Sequence, residues 1–191
     1  MKNYTFNECD AQSIIHLVNQ HGKDLIGLEL GLAMGQSFCS LLQNCPNIKT
    51  LYGVDLWEPY EDYIANTYTG KSVLSKNQAE IECWKFLTYH HIKFSGQSQK
   101  AIILEKDSNE ALKDIPDNYL DFIFLDAHLT YEQIVNDLQV WYPKVKKGGL
   151  YMGHDWNCDA VRKAVFNFRE KYNIKPYMSV FNNTFVWKKE Y

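Results

Sequence analysis

Short apolar runs alternate with helical patterns along most of the chain. The runs at residues 25–30, 51–56, 101–105, 120–125 and 150–153 have the length and composition of buried strands. Apolar residues at helical spacing predict helices over residues 10–20, 36–42, 77–92, 130–142 and 159–172. Strands that alternate with helices predict a doubly wound α/β fold with a mostly parallel sheet.

The end of the chain departs from this alternation. Two apolar runs, residues 178–181 and 184–188, are separated only by Asn182 and Asn183. Two residues are too few for a parallel crossover, so these runs must form an antiparallel β-hairpin. The sequence therefore predicts a Rossmann-like, seven-stranded sheet that is mostly parallel and ends in an antiparallel hairpin.

The length of 191 residues suits one domain that spans residues 1–191. Residues 58–100 join the second and third strands, and the predicted helix accounts for only part of them. The surplus, residues 58–76, contains Tyr60, Tyr63 and Tyr68, and long loops of this kind are usually functional or disordered. We interpret it as a lid over a binding pocket, with an ordinary surface loop as the alternative.

Composition narrows the range of partners. The net charge is −3 and the only arginines are Arg162 and Arg169, which argues against a nucleic-acid partner. No run approaches the roughly 20 apolar residues of a membrane span. The five cysteines are odd in number and lack CxxC spacing, which favours reduced thiols in a cytoplasmic protein. Aromatic residues are frequent, and they are compatible with a core, a lid or a homodimer interface.

The turn after the first strand carries the strongest local signal. Glu29, Gly31 and Gly35 have the spacing E-x-G-x-x-x-G, where glycine lets the backbone approach a ligand closely. This is not the G-x-G-x-x-G pattern that makes room for a pyrophosphate. A ligand without phosphates, cationic beside Glu29, agrees better with this turn, and an ordinary tight turn is the alternative.

Polar residues also follow the next two strands. Asp55 ends the second strand, where a carboxylate can bind ribose hydroxyls or cap a helix. Asp107 and Ser108 follow the third strand. Ser108 is a plausible N-cap for residues 109–112, whereas Asp107 could meet an adenine amino group.

Two histidines and two aspartates follow the fourth and fifth strands. They are Asp126, His128, His154 and Asp155. The carboxyl ends of parallel strands meet at one edge of the sheet, so these side chains should converge. Such a convergence is a less common accident than a single histidine and predicts a reactive centre.

The motifs GLELGLAMG, YGVDLW and ILEKDS, together with the block at residues 124–156, resemble those of class I S-adenosylmethionine-dependent methyltransferases. In particular, the motifs resemble those of small single-domain enzymes similar to catechol-type and macrolide-sugar O-methyltransferases. It covers about residues 25–187, and members of this group also end in an antiparallel hairpin.

The resemblance implies roles for individual residues. Glu29, Gly31 and Gly35 would cradle the methionine part of S-adenosylmethionine. Asp55 would hold the ribose, Asp107 and Ser108 would flank the adenine, and Asp126 would lie beside the methionine part or the acceptor. Leu56 is a further implied cofactor-binding residue.

Metal-dependent relatives bind a divalent cation through the aspartate after strand four and an acidic or amide pair after strand five. Asp126 and Asp155 match this pattern, but His154 departs from it. Mg²⁺ prefers oxygen ligands, so the imidazole favours a transition metal or no metal at all.

Taken together, the sequence predicts transfer of a methyl group to a small-molecule acceptor, with a hydroxyl oxygen as the expected nucleophile. His128 and His154 are the candidate bases, with Asp126 or Asp155 as orienting partners. The alternatives are an NAD-dependent oxidoreductase and a non-catalytic cofactor-binding protein.

Overall fold

A computed structural model describes residues 11–59, 77–127 and 130–190 of the chain. Six α-helices, seven strands and two short 3₁₀ helices lie within these ranges. The helices are α1 (Ala11–His21), α2 (Gln36–Asn44), α3 (Gln78–Phe94), α4 (Ser108–Ala111), α5 (Tyr131–Trp141) and α6 (Asp159–Lys171). The strands are β1 (Leu25–Leu30), β2 (Ile48–Val54), β3 (Ala101–Leu104), β4 (Leu120–Leu125), β5 (Val145–Gly153), β6 (Ser179–Phe181) and β7 (Thr184–Lys188).

The strands form one seven-stranded sheet in the order β3-β2-β1-β4-β5-β7-β6. Strands β1 to β5 pair in parallel, whereas β7 runs antiparallel to both β5 and β6. The predicted fold is therefore confirmed, including the terminal hairpin. The strand order reverses between β1 and β4, which is where open α/β sheets bind their ligands.

Two hydrophobic cores cover the two faces of the sheet. Helices α1, α2 and α3 pack on one face around Phe38, Phe122 and Met152. Helices α4, α5 and α6 pack on the other around Trp141 and Phe168. Because both faces of β4 are covered, its sequence LDFIFL is apolar almost throughout.

Two strands differ from their predicted bounds. Strand β2 begins at Ile48 and ends at Val54, so the next two residues leave the sheet. Strand β5 begins at Val145, well before the predicted start at residue 150. Its glycines, Gly148 and Gly149, do not form a turn before the strand. They lie inside it, at a register shift against β4 that the local sequence does not reveal.

Some predictions concern residues beyond the described ranges. Of the tyrosine-rich segment that we interpret as a lid, residues 58–76, only Glu58 and Pro59 are described, and residues 60–76 lie outside the described ranges. Within the described ranges, no helix combines the length and the apolar character needed to cross a membrane.

Replacement of Gly27 by alanine should destabilise the protein, because the added Cβ would lie 2.0–2.4 Å from the buried ring of Phe122. Overpacking of this kind typically costs about 1–3 kcal/mol of unfolding free energy. Urea denaturation followed by circular dichroism measures the loss. Gly27→Ala combined with Phe122→Leu should recover part of it, and strictly additive effects would refute the contact as the cause.

Candidate active site

The glycine turn that follows β1 lies directly against the end of β4. Gly31 has a φ of +86°, and a Cβ at this position would lie 2.2 Å from the carbonyl oxygen of Asp126. The Asp126 N–H also donates to the Leu30 carbonyl, at 2.8 Å. Only glycine satisfies both the backbone angle and this close approach. The turn therefore packs directly on the backbone at the end of β4.

Polar groups from the segment that follows β2 and from α3 hold the turn in place. Asp55 Oδ2 accepts hydrogen bonds from the N–H groups of Leu32, at 2.8 Å, and Ala33, at 3.0 Å. Trp57 Nε1 and Thr88 Oγ1 both donate to the Ala33 carbonyl, each at 2.9 Å. The backbone groups of the turn are therefore bound by the protein itself, and the turn is pre-organised.

Glu29 lies beneath this turn and is completely buried. The Ser37 hydroxyl, in the first turn of α2, donates a hydrogen bond to Glu29 Oε1. Burial, together with the Glu29 carboxylate, raises the pKa of the neighbouring Cys39 thiol to about 12. Cys39 is thus a protonated core thiol, and Glu29 is an acidic side chain buried between β1 and α2.

A cavity of about 200 Å³ opens beside the turn, across the ends of β1, β2 and β3. Gly31, Asp55 and Leu56 line it, as does the loop that follows β3. The complete lining consists of Leu30, Gly31, Val54, Asp55, Leu56, Trp57, Glu58, Pro59, Lys106, Asp107, Ser108, Ala127 and Gln133. The sequence-predicted cofactor residues on these three strands therefore come together, except for Glu29 and Gly35, which lie outside the lining.

Asp107 and Ser108 both line this cavity, but Asp107, not Ser108, caps α4. Asp107 is the N-cap of α4, and its Oδ1 accepts from the Asn109 N–H at 2.8 Å. The prediction of Ser108 as the N-cap is therefore wrong. The Ser108 hydroxyl instead donates to the buried Asp137 of α5, at 3.1 Å, because its position as first residue of α4 turns it toward that helix.

A wider groove of about 820 Å³ lies elsewhere, near the start of β5, between α1 and the terminal hairpin. Leu17, Tyr177 and Trp187 are among its lining residues. None of its lining residues lies at the carboxyl ends of β1 to β4. Ligands of open α/β sheets bind at those ends, so the smaller cavity is the candidate site.

Asp126, His154 and Asp155 meet at the ends of β4 and β5. His154 Nδ1 lies 3.3 Å from Asp126 Oδ1 and 3.4 Å from Asp155 Oδ1. One ligand atom from each residue lies within 4.8 Å of the other two. The three side chains are partly exposed, at 30%, 16% and 32%, so solvent and small molecules reach the cluster.

The backbone at this cluster is bent sharply. Asp155 has a φ of +55°, a left-handed conformation that is unusual for residues other than glycine. Such conformations cost about 1–3 kcal/mol and concentrate at functional sites.

Asn183, in the turn between β6 and β7, reaches across to the same cluster. Its Nδ2 lies 3.5 Å from His154 Nε2 and 3.4 Å from Asp155 Oδ1. Its backbone carbonyl accepts from the Trp156 N–H at 3.0 Å, and its Oδ1 accepts from the Asn157 N–H at 2.8 Å. The hairpin is thus fastened to the loop that carries His154 and Asp155.

His128, the second candidate base, lies outside the described residues. Of the four residues expected to converge, the structure therefore brings together Asp126, His154 and Asp155. Ala127 lines both the cavity beside the glycine turn and the small cavity beside the cluster, so the two adjoin.

Residues 28–156 match the family described as "Methyltransferase domain". This range includes most of the chain and contains both the glycine turn and the cluster. The chain belongs to the methyltransferase domain family. No curated protein sequence matches it.

Solved structures share the fold of this methyltransferase. The O-methyltransferase NovP superposes with a TM-score of 0.69 at 19% identity, covering 95% of this chain and 80% of NovP. Precorrin-6y C5,15-methyltransferase from Geobacter metallireducens gives 0.64 at 14% identity, covering 98% and 92%. The cofactor-bound protein Rv0187 from MTB gives 0.64 at 12% identity, covering 97% and 82%. At these identities the likeness concerns the fold.

Asn183 is the residue of this methyltransferase site that sequence reasoning missed. Its position in a two-residue hairpin turn explains an asparagine completely, because asparagine is common in such turns. Its contact with residues 29 positions earlier depends on how β7 pairs with β5. That pairing was predicted only as a hairpin at the end of the sheet, without its register.

Gly31→Ala should destabilise this methyltransferase more than Gly96→Ala. Both glycines have left-handed φ values, +86° and +70°, which cost alanine about 1–2 kcal/mol. A Cβ at Gly96 meets no atom within 4 Å, whereas one at Gly31 collides with the Asp126 backbone. The expected losses are about 1–2 kcal/mol for Gly96→Ala and about 2–5 kcal/mol for Gly31→Ala. Equal losses in urea denaturation would contradict the close approach.

Proposed function

We propose that this methyltransferase uses S-adenosylmethionine to methylate a hydroxyl oxygen of a small molecule. The observation that carries the proposal is the contact of Gly31 with the Asp126 backbone. Through that contact, a cavity suited to a nucleoside adjoins a cluster suited to removing a proton. The family supplies the reaction class, and these two neighbouring features supply the cofactor and the acceptor chemistry.

The cavity offers each part of the cofactor a suitable partner. We assign the adenosine to the space between Leu56, Asp107 and Ser108. Asp55 accepts three backbone hydrogen bonds, the third from Trp57 N–H at 2.8 Å. A carboxylate has about four acceptor positions, so Asp55 retains capacity for one ribose hydroxyl. The buried Glu29 carboxylate and the Asp126 carboxylate favour the cationic methionine part of the cofactor over a pyrophosphate.

His154 is the group that we assign to receive the proton of the acceptor hydroxyl. Its Nδ1 faces the two carboxylates of Asp126 and Asp155, which orient the ring and stabilise the imidazolium that forms. The His154 ring would take up this proton, and S-adenosylmethionine, when bound, would supply the methyl group to the hydroxyl oxygen. Alignment of the two reactants contributes roughly 7–11 kcal/mol, and the base adds about 10²–10⁴-fold in rate.

A divalent cation is the second way in which the cluster could activate a hydroxyl, and the compact donor set favours it. Two carboxylate oxygens and one imidazole nitrogen suit a borderline transition cation better than Mg²⁺, because Mg²⁺ prefers oxygen ligands. Asp126, Asp155 and Nδ1 of His154 would hold such an ion, which would lower the pKa of a bound hydroxyl.

The proposed cofactor predicts selective binding. S-adenosylhomocysteine should bind saturably, in the micromolar range, in isothermal titration calorimetry, whereas NADH should give no heat of binding. The reason is that the glycine turn offers no pocket for a pyrophosphate. Binding of NADH without binding of S-adenosylhomocysteine would instead support the oxidoreductase alternative.

His154→Gln should preserve binding of S-adenosylhomocysteine but lower methyl transfer by about 10²–10⁴-fold, because the base is lost while the cavity is intact. The measurement is transfer of labelled methyl groups to an acceptor that the wild-type protein methylates. His16→Gln, at an exposed position on α1, serves as the control and should retain full activity. Full activity of His154→Gln would remove His154 from the reaction.

A further inference from the structure

The outer face of α3 carries a row of exposed aromatic side chains. Phe86 is 67% and Phe94 57% exposed, and the exposed His90 lies between them on the helix. The ring centroid of His90 is 6.0 Å from that of Phe86 and 4.4 Å from that of Phe94. Because these residues are spaced by four, they form one stripe, on the side of α3 opposite to the buried Thr88 and Ile92. A contiguous aromatic surface of this kind typically marks an interface.

Two opposite charges flank this aromatic stripe on the same side of α3. Glu82 and Lys93 are both exposed, and about three helical turns separate them, so their side chains leave the helix in nearly the same direction. Glu82 accepts a hydrogen bond from Gln78 Nε2 through Oε1, at 3.0 Å. At a rise of 1.5 Å per residue, Glu82 and Lys93 are about 16 Å apart along the axis. They are therefore too far apart to pair with each other in one copy of the chain.

The stripe and its charges are self-complementary under two-fold symmetry. When two copies of one helix pack antiparallel about a two-fold axis, each flank faces the same flank of the second copy, running in the opposite direction. The midpoint between Glu82 and Lys93 and the midpoint between Phe86 and His90 both fall at residues 87–88. A two-fold axis at that level places Glu82 opposite Lys93 of the second copy and Phe86 opposite His90 of the second copy. Each of these pairs then forms twice.

We propose that α3 is the interface of a symmetric homodimer, in which the aromatic stripes of two copies of this chain pack antiparallel. Burial of the rings supplies most of the affinity, because exposed ion pairs contribute little. The two charge pairs fix the direction and the register of the helices. One pair of helices buries less than the roughly 1,600 Å² of a standard interface, so we expect a weak dimer with a micromolar dissociation constant. The inference concerns assembly and is independent of the proposed function.

Sedimentation equilibrium of the purified protein, over concentrations up to about 0.5 mM, tests the interface. The wild-type protein should change from monomer to dimer across this range. Phe86→Glu should raise the dissociation constant about 30-fold or more, because it places a charge among the packed rings. Phe166→Glu is the matched control, since Phe166 is 54% exposed on α6, and it should dimerise like the wild-type protein. A wild-type monomer at every concentration, or equal effects of the two variants, would overturn the proposal.

A charge exchange tests the register. Glu82→Lys and Lys93→Glu should each weaken dimerisation about tenfold at low salt, because each variant turns both charge pairs of the dimer into like-charge contacts. An equimolar mixture of the two variants should dimerise about as tightly as the wild-type protein, since a mixed dimer contains only opposite-charge pairs. Circular dichroism checks that both variants are folded. A mixture that dimerises no more tightly than its components would contradict the antiparallel arrangement.

Discussion

The approach of Gly31 to the backbone of Asp126 is the constraint on which the rest of the site depends. It lies where the strand order reverses, between the ends of β1 and β4. The turn that contains Gly31 lines the cavity and leads into α2. The end of β4 places Asp126 in the cluster with His154 and Asp155. A side chain at position 31 would separate these two halves, so the glycine joins the proposed cofactor site to the proposed reaction centre.

The cavity and the cluster also differ in how their polar groups are held. Asp55, Trp57 and Thr88 bind the backbone of the glycine turn directly, which fixes the shape of the cavity before any ligand arrives. The cluster instead depends on a long-range contact from the terminal hairpin through Asn183. The antiparallel hairpin of this fold thus contributes to the site as well as to the edge of the sheet.

The sequence was sufficient for the fold and for the convergence of Asp126, His154 and Asp155, because both depend on local signals. Apolar runs marked the strands, and the polar residues after each strand had to meet at one edge of a parallel sheet. It was insufficient where the outcome depends on pairing between distant strands. The early start of β5 at Val145 and the reach of Asn183 to His154 both follow from strand register.

Roles of single polar groups were equally hard to predict where two local partners compete. Asp107 and Ser108 are adjacent and both can cap α4. Asp107 is the cap, and Ser108, as the first residue of the helix, bonds to Asp137 of α5 instead. The sequence also did not reveal that Asp55, our candidate for the ribose, uses three acceptor positions for backbone N–H groups and keeps one for a ligand. Asp55, Asp107 and Ser108 all line the part of the cavity to which we assign adenosine.

A crystal structure of the protein with S-adenosylhomocysteine tests the central claim most directly. The account predicts the adenosine between Leu56 and Ser108, with the sulfur of the homocysteine part beside Gly31 and directed toward the cluster of Asp126, His154 and Asp155. The ligand bound instead in the groove beside Tyr177 and Trp187, or with its sulfur directed away from the cluster, would contradict it.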